Sequence, residues 1–228
     1  MQNISFKQYR NIDLTVLSVL LLLSEGITTF ATTKWFVGVP FAISTTLIFI
    51  IITMMRWGVF AFIPAAVGGI VFSIASGAGA TQFVIYTAGN LFALLPCIFL
   101  HFVDKEKVRK SIFLLTVLSV LSYVSLALGR WLVSLIFEPS IKSLLVYLTT
   151  DIVTLLFTTV ILVLMRGVDG MIEDQRHYLV RLSEEREKEA SKTSDGDDLE
   201  SISEDPDYLS GVFDDGEAPR PKGEEGAD

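Results

Sequence analysis

Six stretches of about twenty apolar residues constrain this chain more than any other feature of its sequence. A bilayer core about 30 Å thick requires about 20 mostly apolar residues per helix. Six segments meet this requirement: residues 14–33, 37–54, 58–77, 83–103, 112–137 and 143–165. Only 19% of the residues are charged, whereas soluble domains carry about a quarter. We therefore predict an all-α integral membrane protein in which residues 1–166 form a bundle of six transmembrane helices.

The positions of lysine and arginine predict how this bundle is oriented. One side of it receives Lys7, Arg10, Arg56, Lys105, Lys107, Arg109, Lys110, Arg166, Arg176 and Arg181. The other side receives little beyond Lys34 and Lys142. Because cytoplasmic loops of membrane proteins carry an excess of Lys and Arg, we expect a multi-pass protein of the cell membrane with both termini in the cytoplasm.

The chain changes character after its last apolar stretch. Residues 167–190 are polar with interspersed apolar side chains, which predicts an amphipathic cytoplasmic helix next to the membrane. Residues 191–228 hold thirteen Asp or Glu against three Lys or Arg. Such a segment buries too little apolar surface to fold, so it predicts a disordered acidic tail.

Four strongly polar residues interrupt the apolar segments at one depth. Glu25, Asn90, Arg130 and Asp151 each lie seven or eight residues from the same side of the membrane, or about 10 to 12 Å at 1.5 Å per residue. Buried ionisable groups are costly in a membrane and mark functional sites by default. We expect these side chains to converge in an outward-facing cavity, unless Arg130 only forms a structural ion pair with Asp151 or Glu25.

Other residues extend this candidate substrate-binding site toward the membrane surface. Gln82, Tyr86 and Asn90 recur every four residues and so share one face of the fourth predicted helix. Trp131 and Tyr147 lie near the expected mouth of the cavity, where their rings offer stacking surface.

The third predicted helix carries a second pattern, a small residue at every fourth position. Its members are Ala61, Ala65, Gly69, Ser73 and Gly77. Such a seam lets another helix approach closely. It is explained either by packing within the chain or by an interface with a partner subunit.

Motifs for catalysis and cofactor binding do not occur in the sequence. It has no phosphate-binding glycine loop, no metal-ligand spacing and no nucleic-acid-binding module. A clustered nucleophile and base are likewise absent. We predict a protein that is not an enzyme, holds no metal or cofactor, and has no nucleic-acid partner.

The segment from Pro40 to Gly77 resembles the S component of energy-coupling factor transporters. An apolar helix ends in Met55-Arg56-Trp57-Gly58 and leads directly into a small-residue helix with Gly68-Gly69. The likeness extends over about residues 10–166. It implies a membrane subunit that captures a vitamin-like micronutrient and works with a separate transmembrane coupling subunit and two ATPase subunits. The AxxxA pattern that this family often has on its first helix is missing here.

Two functions are consistent with these features. The first is the substrate-binding subunit of an uptake transporter, which takes a small polar molecule from the outer face. The second is a membrane scaffold or regulator that acts through its acidic tail, in which case the buried charges serve only to hold the helices together.

Overall fold

The computed structural model describes residues 5–35 and 42–194, which form helices and no strand. In chain order the helices are α1 Phe6–Trp35, α2 Thr46–Trp57, α3 Phe62–Ser76, α4 Ala80–Asn90, α5 Cys97–Phe102, α6 Lys105–Lys110, α7 Ile112–Ser134, α8 Lys142–Thr150, α9 Ile152–Met165 and α10 Gln175–Ser194. A short 3-10 turn at Gly58–Ala61 connects α2 to α3, and another at Leu91–Leu94 follows α4 and leads to α5. The predicted all-α class is confirmed.

Four helical stretches are long and apolar enough to cross a membrane: Phe6–Trp35, Thr46–Ser76, Ala80–Phe102 and Ile112–Ser134. The pair α8 and α9 passes the same test when taken together, although it is bent by 40° at Asp151. The described residues thus contain four such helices, or five if the bent pair counts as one.

The stretch Thr46–Ser76 is not straight, because it reverses at Trp57 and Gly58. Gly58 takes a left-handed backbone conformation with φ of 62°, which glycine adopts without steric cost. A methyl group added to Gly68 would collide with the side chain of Thr46. In a straight helix these two residues would lie about 33 Å apart. Therefore α2 and α3 form an antiparallel hairpin.

Helix α2 lies at the centre of the bundle and is only 12 residues long. Nearly all of its side chains are buried, and Leu47, Ile51 and Met55 pack in one core with residues of α1, α3, α7 and α9. The second predicted segment began at residue 37, but residues 42–45 are not helical and α2 begins at Thr46. It can start inside the bundle because a buried carboxylate of α1 accepts hydrogen bonds from the N–H groups of its first turn.

Polarity is distributed as expected for a protein surrounded by lipid. Large apolar side chains such as Ile27, Phe30 and Leu156 are exposed, whereas Glu25 and Arg130 are buried. An aqueous surface with so many exposed apolar side chains would aggregate. Length, composition and this distribution together define the class of a helical membrane protein.

Most of the Lys and Arg residues lie at one end of the bundle, which we call the basic end. Asp13, two turns into α1, ties this end together. Its carboxylate accepts hydrogen bonds from Arg56 at 2.6 and 3.0 Å and from Trp57 Nε1 at 2.6 Å. Arg56 also donates to the carbonyl of Gly170 at 2.8 Å. Arg56 and Trp57 are thus buried and bind the hairpin to the segment that precedes α10.

Helix α10 is docked on this end through a buried glutamine. Gln175 accepts from the hydroxyl of Tyr9 at 3.1 Å and donates to the carbonyl of Gly170 at 2.9 Å. A helix is present in this part of the chain, but it runs from Gln175 to Ser194 and not over the predicted residues 167–190. Its location in the cytoplasm stays a prediction. The acidic tail was predicted to begin at residue 191, but residues 191–194 form the end of α10. Residues 195–228 lie outside the described residues, so their disorder stays a prediction.

Candidate functional site

Three of the four polar residues predicted to converge meet in the structure. Arg130 of α7 donates from Nε to Asn90 Oδ1 at 3.0 Å and from Nη1 to Asp151 Oδ2. Asn90 in turn donates to the carbonyl of Ala65 at 3.4 Å. All three polar side chains are buried, at 1% to 8% of full exposure. Together they form a polar centre that joins α3, α4, α7 and the bent helix α8–α9.

Two glycines that sequence reasoning overlooked allow α4 and α7 to approach closely enough for these contacts. A Cβ atom on Gly89 would lie 2.7 Å from Arg130 Cα, and one on Gly129 would lie 2.5 Å from the carbonyl oxygen of Gly89. Backbone therefore packs on backbone where the helices cross. The sequence contained one indication of these roles, since Gly89 directly precedes Asn90 and Gly129 directly precedes Arg130.

Asp151 lies at the break between α8 and α9. The freed carbonyl of Thr150 accepts from the backbone N–H of Ala42 at 3.0 Å, and Thr154 Oγ1 accepts from the N–H of Ser44 at 3.0 Å. The Tyr123 hydroxyl donates to the carbonyl of Leu148. The non-helical residues 42–45 thus supply partners to the broken helix. Irregular backbone at membrane depth is tolerated only when it is buried in protein or lines a cavity.

Tyr86 covers the polar centre. The Arg130 guanidinium carbon lies 4.8 Å from the centroid of the Tyr86 ring, a cation–π contact. The ring of Phe72 packs against Tyr86 at a centroid distance of 4.6 Å. Tyr86 is therefore held in place by an aromatic ring and a buried cation.

A cavity of about 410 Å³ opens beside Tyr86 on the side away from the basic end. We call it the upper cavity; it is lined by Gln82, Ile85, Tyr86, Glu138, Ser140, Lys142, Ser143, Val146 and Tyr147. Three of the predicted binding residues, Gln82, Tyr86 and Tyr147, contribute to this lining. Asn90, Arg130 and Asp151 do not line it, since they lie buried below it.

Trp131 supports the upper cavity from outside its lining. Its indole Nε1 donates to the carbonyl of Ser140 at 3.1 Å. Ser140 belongs to the loop between α7 and α8 and lines the cavity. Trp131 therefore holds one wall of the cavity, and its contact with a ligand stays a prediction.

The structure does not bring Glu25 into the polar centre. Its Oε2 accepts from the backbone N–H groups of Thr45 and Thr46 at 2.6 and 2.9 Å. The hydroxyls of Ser44 and Thr45 donate to the same oxygen at 3.0 and 2.9 Å. Within the part of the chain that the structure describes, Glu25 has no ion pair with Arg130. Its carboxylate caps the buried start of α2, which corrects the expected convergence of all four residues.

The small-residue seam of α3 packs within the chain. A Cβ atom on Gly69 would lie 2.6 Å from Thr87 Cα of α4. Ala61, Ala65 and Ser73 are buried, whereas Gly77 ends the helix in a left-handed conformation and is exposed. Helix α4 therefore occupies the surface that was one candidate for a partner subunit. Packing within the chain accounts for the pattern.

Among the described residues, no group of three or more His, Cys, Asp and Glu is placed to hold a metal ion. Comparisons with protein-family models, curated proteins and solved structures give no match.

Proposed function

We propose that this protein is a cell-membrane subunit that binds a small polar molecule in the upper cavity, as the first step of uptake. The observation that carries the proposal is the position of that cavity. It lies directly beside Tyr86, which the buried Arg130 holds from below. A fixed aromatic wall with polar groups around it is typical of small-molecule sites.

In this proposal the chain crosses the membrane six times with both termini inside. The antiparallel hairpin of α2 and α3 supports the even number, because its two helices run through the bundle in opposite directions and so count as two passes, although α2 alone is too short to span the core. The concentration of Lys and Arg at the end that holds α6 and α10 supports the orientation. The upper cavity then opens outward.

Discontinuous helices at one level provide further support. Helix α2 starts inside the bundle at Thr46, and α8–α9 breaks at Asp151, where residues 42–45 contact it. Transporters often build their substrate sites around such broken helices near the middle of the bilayer.

The lining favours a polar ligand that is either zwitterionic or uncharged. Gln82 offers an amide, Tyr147 a ring and a hydroxyl, and Glu138 and Lys142 add one charge of each sign. Arg130 does not bind the ligand in this scheme, because Asn90, Asp151 and Tyr86 already engage it. Its role is to position Tyr86.

Transport would require partners. The sequence contains no nucleotide-binding motif, so energy must come from elsewhere. The likeness to S components suggests a transmembrane coupling subunit and ATPase subunits. The scaffold function is the second candidate. The observation that favours it is that the polar centre is satisfied by residues of the chain itself.

Ligand binding is the decisive test. Purified full-length protein is screened by thermal shift against vitamins and amino acids, and hits are titrated by calorimetry. Gln82→Ala and Tyr147→Leu should each weaken binding about tenfold, whereas Thr81→Ala, an exposed neighbour outside the lining, should not. Equal affinity of all variants would reject the site, and the absence of any ligand would favour the scaffold.

The orientation is tested by cysteine labelling in intact cells, with Cys97 replaced by alanine. Ser140→Cys should react with an impermeant reagent added outside. Lys107→Cys should react only after permeabilisation. The opposite pattern would reverse the proposed topology.

A further inference from the structure

A second cavity lies at the basic end of the bundle and is separate from the proposed substrate site. It measures about 290 Å³, and we call it the basal cavity. Four basic side chains line it, Arg10, Arg56, Lys105 and Arg176, against the single acid Asp174. The start of α1, the α2–α3 turn, the start of α6 and the start of α10 each contribute to it.

Two of these four cations are already neutralised. Arg56 pairs with Asp13 at 2.6 Å, and Lys105 pairs with Asp174 at 2.6 Å. Neither Arg10 nor Arg176 forms an ion pair with the residues that the structure describes. The basal cavity therefore carries two uncompensated positive charges.

Aromatic rings hold both of these arginines at the cavity. The guanidinium of Arg10 lies 4.3 Å from the centroid of the Phe60 ring, and that of Arg176 lies 5.4 Å from the Phe6 ring. The Nε atom of Arg10 is buried and has no hydrogen-bond acceptor among the described residues. A buried donor without an acceptor is destabilising, and an oxyanion supplied from outside would satisfy it.

A phosphate group matches this arrangement. Arginine presents parallel N–H donors that fit phosphate oxygens, and such charge-assisted bonds are stronger than neutral ones. Beside the cavity, the α2–α3 turn exposes Val59 by 71% and Phe62 by 47%. A soluble phosphate compound would leave these apolar side chains uncovered, whereas the acyl chains of a phospholipid would cover them.

We propose that the basal cavity binds the headgroup of an anionic phospholipid from the cytoplasmic leaflet, with Arg10 and Arg176 on the phosphate. Basic pockets between helices on the cytoplasmic side are suited to such headgroups. The bound lipid would link α1 and the α2–α3 turn to α10, and so fix α10 against the bundle. This site is independent of the upper cavity and of any substrate there.

The test titrates the full chain in detergent with dioctanoyl phosphatidylglycerol and counts bound lipid by native mass spectrometry. Dioctanoyl phosphatidylcholine has the same tails without the net charge, and glycerol 3-phosphate has the phosphate without the tails. We expect the anionic lipid to bind at least about tenfold more tightly than either. Arg10→Gln with Arg176→Gln should lower its affinity by about tenfold or more.

The matched control removes two exposed cations at the same end of the bundle. Lys107→Gln with Lys110→Gln should leave the affinity within about twofold, since neither lysine lines the cavity. If the double arginine variant does not fold, Arg176→Gln alone serves, because Arg176 is exposed on α10.

Each outcome decides the proposal. Equal loss in the arginine and lysine variants would show attraction by general charge and overturn the site. Equally tight binding of glycerol 3-phosphate would assign the cavity to a soluble phosphate compound and overturn the lipid. Equal binding of phosphatidylcholine would show that the tails alone are recognised.

Discussion

The bundle buries two acids, Asp151 at a helix break and Glu25 against the start of another helix, and it stabilises them by different means. Asp151 is matched by a cation, Arg130, whose Nε donates to Asn90 and whose guanidinium lies over the ring of Tyr86. Glu25 has no cation partner among the described residues; it accepts hydrogen bonds from the first turn of α2 and from nearby hydroxyls. The orphan N–H groups and the dipole of a helix start supply what a positive side chain would otherwise provide.

The depth of a buried acid in the bundle therefore does not determine its role. Asp151 joins separate helices around the wall of a cavity. Glu25 allows a helix to begin inside the bundle, where its N–H groups would otherwise be unsatisfied. Variants at the two centres should therefore have separate effects on stability.

The largest effect is expected from breaking the Arg130–Asp151 pair. Arg130→Met should lower the free energy of unfolding by about 3–5 kcal/mol, because it leaves Asp151 buried and unpaired. Arg130→Met with Asp151→Leu should recover part of that loss. Unfolding in mixed micelles of increasing SDS fraction measures both. A double variant no more stable than the single one would contradict the ion-pair account, and Lys107→Met serves as an exposed control.

Glu25→Gln should cost about 1–3 kcal/mol, since the amide keeps one acceptor but loses the charge and turns donors toward the N–H groups of α2. Combined with Arg130→Met, the two losses should add within about 0.5 kcal/mol, as expected of separate sites. The same SDS titration applies. A strong coupling would mean that Glu25 and the polar centre form one network.

The crossing of α4 and α7 is tested by Gly129→Ala. The added methyl would meet Phe92 and the carbonyl of Gly89, and we expect a loss of about 1–3 kcal/mol from overpacking. Gly26→Ala is the control, because nothing lies within 4 Å of its added methyl. That variant should be neutral or more stable, by up to about 1 kcal/mol from helix propensity. Similar thermal stabilities of the two variants would contradict the close approach.

The smallest effect is expected from Trp131→Phe, which removes the hydrogen bond to the carbonyl of Ser140. The loss of stability should be about 0.5–1.5 kcal/mol. Affinity for any ligand of the upper cavity should fall with it, as the wall at Ser140 loosens. Unchanged affinity with lowered stability would limit Trp131 to a structural role.

Much of the candidate site followed from local rules. Depth counting placed Asn90, Arg130 and Asp151 at one level, and a four-residue stripe placed Gln82 and Tyr86 on one face of α4. The same counting placed Glu25 with them, because depth fixes the height of a side chain and not the direction in which it points around the helix axis. The roles of Gly89 and Gly129 depend on a helix crossing, which spacing within one helix does not reveal.

The sequence by itself determined the helical class, the apolar segments and the basic end, because hydrophobicity and charge act residue by residue whatever the neighbours are. It did not determine that α2 would be a half-length helix capped by Glu25, or that Arg130 would lie below a cavity instead of inside it. Those features depend on which backbone groups of distant segments are left without partners. Only the packed bundle places the segment 42–46 where it satisfies both Glu25 and the broken helix at Asp151.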